Sequence, residues 1–285
     1  SSMTGDGLAS PVMLKRRALI EDLVVSPGHD AHLAKRNPAN RLGLEGKAEG
    51  RDVIDGLLAE LDDLHNRLWA EAKQSVVLVL QGMDAAGKDG TIRRVLTGLN
   101  PQGCTVANFK EPTATDLAHD YLRRVHDACP PRGLLGVMNR SHYEDVVMAR
   151  LIGVIDDDQR ERRFGHIREF ERMLTDEGTS VVKVFLHISK DEQRARLQAR
   201  IDDPEKNWKF RHSDLEARGH WDELQGLYDT AIGATSTEWA PWYVVPGDHK
   251  WVRDVAIATL LVDVFERLNP KIPDPEAGLE GIIVE

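Results

Sequence analysis

Cysteine is scarce: Cys104 and Cys129 are the two in 285 residues. That excludes a disulfide framework, and their separation fits no zinc-ligand spacing, so both are expected as reduced, partly buried thiols. No apolar run approaches the roughly 20 residues a membrane-spanning helix needs, and the N-terminus has no apolar signal-peptide core. A cytoplasmic protein with no membrane partner is the expectation. Positive charge is also in short supply, with 37 Lys and Arg against 47 Asp and Glu and a formal net charge of −10. This excludes the general basic field of a nucleic-acid binder, so no nucleic-acid partner is expected, and any polyanion must be held by a local basic cluster. Internal repeats and low-complexity tracts are lacking too, and one core is the simplest arrangement at this length.

Against these absences, one stretch is rich in information. Residues 76–80, Val-Val-Leu-Val-Leu, are short, apolar and β-branched enough for a buried parallel strand. They run into Gly82-Met-Asp84-Ala85-Ala86-Gly87-Lys88, and Asp89-Gly90-Thr91-Ile-Arg93 follows with helical character. Strand, glycine-bounded loop with a terminal lysine, then helix is the setting of a phosphate-cradling P-loop. Loop N–H groups and the helix N-terminus supply partial positive charge, and Lys88 supplies a full one. The common pattern places Ser or Thr after the lysine to hold magnesium. Asp89 stands there instead, able to bind the cation or to point away, and Asp84 inside the loop is a second departure. A plain glycine-rich turn is the alternative, and the flanking strand and helix argue against it.

Residues 1–50 are polar with little periodicity and are expected to form an N-terminal extension. A helix is expected over residues 51–73, where Ile54, Leu57, Leu58, Leu61, Leu64 and Leu68 recur at helical spacing. Further strands are expected over 106–109, 134–138, 181–188 and 241–245. Pro112-Thr113 signals a helix start before residues 116–125, and a closing helix covers 252–268. Short apolar strands alternating with helical patterns mean βαβ units. The expected fold class is therefore α/β, a doubly wound, mostly parallel five-stranded sheet flanked by helices. Residues 51–270 make one domain and 271–285 a C-terminal tail.

Ligands of such sheets bind at the carboxyl ends of the strands, so Asn139-Arg140-Ser141-His142-Tyr143-Glu144-Asp145, ending the third strand, should face the loop. A strand-end carboxylate beside a P-loop is what phosphoryl transfer uses to hold magnesium. Arg140 suits the neutralisation of a transferring phosphoryl group, the alternative being a surface pair with Glu144 or Asp145. His142 is expected as a packed residue rather than a phosphohistidine nucleophile. After the fourth strand, Lys190, Arg194, Arg196, Arg200, Lys206, Lys209 and Arg211 concentrate basic charge. Residues 190–220 thus have the composition of a lid that closes over phosphates and excludes water, with a solvated basic helix as the alternative. The tryptophans near the fifth strand read as core. The residues alone point to magnesium-dependent phosphoryl transfer, leaving open an ATP-dependent small-molecule or nucleotide kinase and a non-catalytic nucleotide-binding switch.

Gly82-Met-Asp84-Ala-Ala-Gly87-Lys88-Asp-Gly-Thr91, Asn100-Pro101, Pro112-Thr113, Asn139-Arg140-Ser141-His-Tyr143-Glu144-Asp145, Trp208-Lys209 and Ala240-Pro-Trp242 together resemble the family-2 polyphosphate kinases. The likeness runs from about residue 51 to residue 268. It implies a P-loop kinase fold with a helical lid, and transfer of the terminal phosphoryl group of inorganic polyphosphate to a nucleotide. It also implies magnesium, with manganese as the alternative, held by Asp84 and Asp145. Lys88 and Arg140 match the family's phosphate-binding positions, so the catalytic set is expected to be Asp84, Lys88, Arg140, Glu144 and Asp145. Phosphate and nucleotide contacts are expected from Gly82, Ala85, Ala86, Gly87, Asp89, Gly90, Thr91, Arg93, Asn139, Arg200, Lys206 and Lys209. The Glu144-Asp145 pair is similar to the subgroup that accepts AMP as well as ADP. Expected partners are polyphosphate and adenine nucleotides, with guanine nucleotides as further acceptors, and a homodimer or homotetramer is expected.

Overall fold

A computed structural model describes residues 11–284. Six strands form one sheet: β1 Val24–Val25, β2 Ser75–Gly82, β3 Cys104–Asn108, β4 Leu135–Asn139, β5 Thr179–His187 and β6 Trp242–Pro246, in the order β1-β6-β5-β2-β4-β3. Every pairing is parallel except that of β1 with β6. The five strands expected from sequence are all present. The sixth, β1, lies inside the polar N-terminal stretch, where two residues are too few to carry a period-2 signal. It is held as an edge strand by Tyr243 and Trp242 of β6. Arg36 folds back beneath it, donating to the carbonyls of Ala31 at 3.0 Å and Val24 at 3.1 Å.

The helices in chain order are α1 Pro11–Leu23, α2 Lys47–Glu71, α3 Lys88–Val95, α4 Ala114–Leu117, α5 Arg123–Asp127, α6 Met148–Leu151, α7 Asp157–Asp176, α8 Lys190–Asp202, α9 His212–Gly219, α10 Trp221–Thr235 and α11 Lys250–Leu268. All eight residues of β2 are buried, as a central strand covered on both faces demands. One cover is α2 packed on α11. The α2 stripe Ile54, Leu57, Leu58, Leu61 and Leu68 is buried, and α11 is apolar nearly all round because it sits between α2 and the sheet. The other cover includes α7 and α10, and α7 starts at a capping box between Asp156 and Gln159.

The single helix expected over residues 116–125 is split into α4 and α5. Thr113 and Asp116 form the capping box that starts α4. The Asp120 carboxylate then accepts from the Leu122 N–H at 3.0 Å, a local bond that competes with helix continuation. Among the described residues no helix is long and apolar enough to cross a membrane.

Parallel register brings the active edge together. Leu80 is paired with Asn139 and Gly82 with Leu186, so the loop leaving β2 emerges between the ends of β4 and β5. Helices α8 and α9, joined by a short 3-10 turn at Asn207–Lys209, rise over that edge as the helical lid.

Candidate active site

The loop after β2 is tied back by its carbonyls. Arg196 of α8 donates from Nη1 to Ala85 O at 3.1 Å and Ala86 O at 2.9 Å, and from Nη2 to Gly247 O at 2.6 Å. Gln193 donates to Asp84 O at 3.0 Å. Arg196 is therefore a brace for the loop rather than a free lid cation, a role that only folding assigns. Ala85 and Arg140 are non-glycine residues held in left-handed backbone, with φ of 61° and 63°. Such backbone costs about 1–2 kcal/mol per residue, and both residues sit at the edge where the loop leaves β2 beside the end of β4.

Lys88 opens α3 with its Nζ donating to Gly82 O at 2.7 Å and Met83 O at 3.3 Å. Burial, helped by Arg140 nearby, pushes its amine down to about 8, against the pull of Asp84, Glu144 and Asp89. Arg140 bonds Asp84 Oδ1 at 2.9 Å and lies 3.9 Å from Glu144 Oε2. It thus bridges the loop and the strand-end acids. Burial raises the Glu144 carboxyl above its ordinary value, opposed by Arg140 and Lys88 and reinforced by Asp84 and Asp145. In the amide orientation that satisfies both of its ends, Gln81 donates to Glu144 Oε1 at 2.9 Å and accepts from the Ser141 N–H at 3.0 Å. Asp145 pairs with Arg124 at 3.1 Å, and its carboxyl is likewise raised by burial against the pull of Arg124.

Asp89 is engaged from both sides rather than pointing away. Its Oδ1 accepts from Asn139 Nδ2 at 3.0 Å, while Oδ2 lies 3.6 Å from Lys209 Nζ, so it links α3 to the lid. Asn139 also donates to Asn108 Oδ1 at 2.9 Å, tying in the end of β3. Arg200 lies 3.9 Å from Asp214 of α9, and Asp84 pushes up the Asp214 carboxyl, although burial does so more. The lid thus brings an acid as well as bases to the site. Lys206 is drawn elsewhere: it is exposed and paired with Asp203. Arg93 is exposed one turn beyond Asp89 on α3, Gly90 is exposed beside it, and Thr91 is buried. His142 is 2% exposed, with Nε2 against Glu171.

Among the described residues no three His, Cys, Asp or Glu side chains form a preformed metal cluster. Asp84, Glu144 and Asp145 nonetheless fit a hard divalent cation. Each meets an arginine, and the two aspartates both raise the Glu144 carboxyl, so a further positive charge relieves their mutual repulsion. Magnesium usually takes only one or two protein carboxylates and fills its shell with phosphate oxygens and water, which suits so sparse a set.

A family model described as Polyphosphate kinase 2 (PPK2) matches residues 45–273. The chain belongs to the polyphosphate kinase 2 family. An AMP/ADP-polyphosphate phosphotransferase of Meiothermus ruber is 48% identical over 92% of this chain and 98% of its own length. An ADP-polyphosphate phosphotransferase of Rhodopseudomonas palustris is 42% identical over 81% and 84%. The crystal structure of Polyphosphate Kinase 2 from Arthrobacter aurescens TC1 superposes with a TM-score of 0.88 at 40% identity, covering 92% of this chain and 94% of that one. The polyphosphate kinase 2 match begins ahead of α2 and runs past α11, so it spans the loop, the strand-end acids and the lid, and leaves α1 and β1 outside. The fold is that of a P-loop kinase, and the protein is a phosphotransferase.

Sequence reading missed Arg124, Gln193 and Asp214 as parts of this site, because each is a polar residue within an ordinary helical pattern, and it placed Arg196 in the lid cluster without its bonds to the loop carbonyls. Gln81 had the one usable signal, a buried-strand position immediately ahead of the loop.

Proposed function

We propose that this enzyme transfers the terminal phosphoryl group of inorganic polyphosphate to AMP and ADP, forming ADP and ATP, with magnesium as the working cation. The observation that carries this reading is the convergence of Lys88, Arg140 and three carboxylates at one strand edge beneath a basic lid. The names of the Meiothermus ruber and Rhodopseudomonas palustris relatives support polyphosphate and adenine nucleotides as substrates.

Phosphoryl transfer demands little covalent help from a protein, mainly alignment and charge stabilisation. An oxygen of the acceptor's terminal phosphate forms a bond to the end phosphorus of polyphosphate. The bond from that phosphorus to its bridging oxygen breaks, and the shortened polyphosphate leaves with the electron pair. Lys88 and Arg140 stabilise the non-bridging oxygens of the transferring group. Asp84 and Asp145, with Glu144 beside them, would hold magnesium, which would supply charge neutralisation for the phosphates when bound. No covalent phosphoenzyme is needed, and His142 is too enclosed to serve as one. A cleft of about 270 Å³ beside the end of β3, lined by Asn108, Phe109, Lys110, Thr113, Asp116 and Arg124 among others, offers the acceptor nucleoside a place next to Asp145.

Incubating the purified protein with polyphosphate, magnesium and AMP, ADP, GMP or GDP in turn, with ATP as a competing donor, tests the reading. Product from AMP and ADP that depends on polyphosphate is expected, and turnover from ATP alone would overturn it. Glu144→Ala should slow AMP phosphorylation at least about threefold more than that of ADP, a difference of the size one hydrogen bond carries. The shorter acceptor leaves a gap that a cation or its waters, steered by Glu144, must bridge. Equal losses would leave Glu144 a structural residue.

The lid separates two lysines. Lys209→Ala should raise the KM for polyphosphate about three- to fivefold and weaken its salt dependence, the size expected of a partly exposed charge contact. Lys206→Ala should leave both unchanged because its partner is Asp203 within the lid. The reverse order would show that the lid closes in a different arrangement.

Activity should also depend on pH through Lys88. Its amine titrates at about 8, below the ordinary 10.5, so the cation is present below that pH and lost above it. kcat/KM, which reports groups of the free enzyme, should therefore fall as pH rises through about 8. The same depression means that unfolding takes up a proton between about 8 and 10.5, so the cost of burying the charge fades as pH rises through that window. A flat kcat/KM profile between pH 7 and 9.5 would separate Lys88 from the titrating group.

A further inference from the structure

Under the site lies a buried ion pair that the transfer itself does not use. Lys183 of β5 and Glu171 of α7 are both fully buried, with Lys183 Nζ 2.6 Å from Glu171 Oε2. The ammonium also donates to the Thr235 carbonyl at 2.7 Å and to the Tyr143 hydroxyl at 3.1 Å. Its three N–H groups thus have three acceptors, and the charge is fully satisfied. Glu171 Oε1 accepts from the Tyr143 hydroxyl at 2.8 Å and faces His142 Nε2 at 3.1 Å. Burial works against this carboxylate, yet Lys183 and His142 hold it below the ordinary glutamate value.

A buried pair of this kind is a poor source of stability, since desolvation offsets the attraction and apolar replacements are often neutral. Its placement gives it another use. His142 and Tyr143 immediately precede Glu144 and Asp145 in one short 3-10 turn, His142–Asp145. Helix α7 grips that turn elsewhere too: Arg163 donates to the Asp145 carbonyl at 2.6 Å and Arg160 to the Val146 carbonyl at 2.9 Å. A 3-10 turn this short has few hydrogen bonds of its own and poor geometry in those. The direction in which it presents its acids is therefore set by outside contacts, and Glu171 engages both side chains ahead of them.

We propose that Lys183 and Glu171 are a positioning pair, locking His142 and Tyr143 so that Glu144 and Asp145 meet the divalent cation. The inference rests on the reading of those acids given under Proposed function. Lys183 and Glu171 act only through the turn.

The test is Mn²⁺ binding in the presence of ADP, read from the electron paramagnetic resonance signal of the free ion, alongside the melting temperature. Glu171→Met with Lys183→Met removes the pair and its hydrogen bonds at similar volume. The Mn²⁺ dissociation constant should rise about tenfold, as when an outer-shell partner of a metal site is lost, with the KM for polyphosphate changing less than about twofold. Glu171→Gln with Lys183→Met keeps an acceptor for Tyr143 and His142, and should restore Mn²⁺ affinity to within about twofold of the parent. If the methionine pair does not fold, Tyr143→Phe carries the test, with a rise of about threefold expected from the lost hydroxyl anchor. Unchanged Mn²⁺ affinity in the methionine pair or, if that does not fold, in Tyr143→Phe, or equal losses in both double variants, overturns the proposal. Asp145→Asn is measured in parallel. If it leaves Mn²⁺ affinity intact, the metal reading itself fails, whereas loss there without loss in the pair variants removes only the positioning role.

Discussion

Lys88→Met is expected to lower kcat/KM by at least about a hundredfold, since one preorganised donor in a water-poor site is worth about 2.7–4 kcal/mol to the transition state. The melting temperature should stay within a few degrees of the parent. Two effects on stability oppose each other. The variant loses hydrogen bonds to the Gly82 and Met83 carbonyls, each worth about 1 kcal/mol. It also removes an amine whose burial is costly enough to push it down to about 8. Steady-state kinetics and calorimetry on the same preparation check both halves. A loss smaller than about tenfold would make Lys88 a brace for the loop rather than a cation for the phosphates, because a mere brace contributes no charge to the transition state.

Gly87→Ala is expected to abolish most activity and to destabilise the fold, whereas Gly90→Ala, three residues on, should be tolerated. Gly87 has φ of +106°, and a Cβ there would lie 2.1 Å from Nη1 of Arg253. That guanidinium cannot easily withdraw: Arg253 is 3% exposed and bonded to Asp254 Oδ1 at 2.7 Å. The loop must shift, and with it the N–H groups proposed to cradle phosphate. Left-handed strain alone costs about 1–2 kcal/mol, and each kcal/mol lowers the melting temperature of a chain this size by about 2–4 °C. A Cβ on Gly90 would find its nearest neighbour at 3.5 Å, an ordinary contact, without a positive φ. Alanine there even gains some helix propensity. Similar losses for both variants would show that loop glycines matter for general flexibility rather than for the approach of Arg253.

The α/β class, the five parallel strands and the phosphate loop were all legible along the chain, because each rests on a local cause. A wholly buried strand such as β2 needs a continuous apolar run, and an anion cradle needs glycine and lysine at set places. Less legible were α7 and α10. Helix α7 is strongly polar, and its capping box, Asp156 with Gln159, went unread. The 116–125 segment had a correct start signal and a wrong end, since the Asp120 bond that interrupts it is one among many an aspartate can make.

The candidate site divides the same way. Asp84, Lys88, Arg140, Glu144 and Asp145 lie in two short segments, and parallel pairing of β2 with β4 brings such segments together wherever they stand in the chain. Composition alone could not tell Arg196 from Lys206. Folding turned the first inward as a clamp on the loop carbonyls and left the second on the surface with Asp203. Nor could the acidic residue after Lys88 be read, since its role depends on Asn139 and Lys209, each far away in sequence. The sequence by itself thus determined what is encoded within a single turn or strand: the phosphate loop, the apolar strands, the order of elements. Tertiary structure alone decided which charges face which. An ion pair such as Lys183 with Glu171 is chosen by packing across layers, and the desolvation that shifts Lys88 and Glu144 exists only once the layers close.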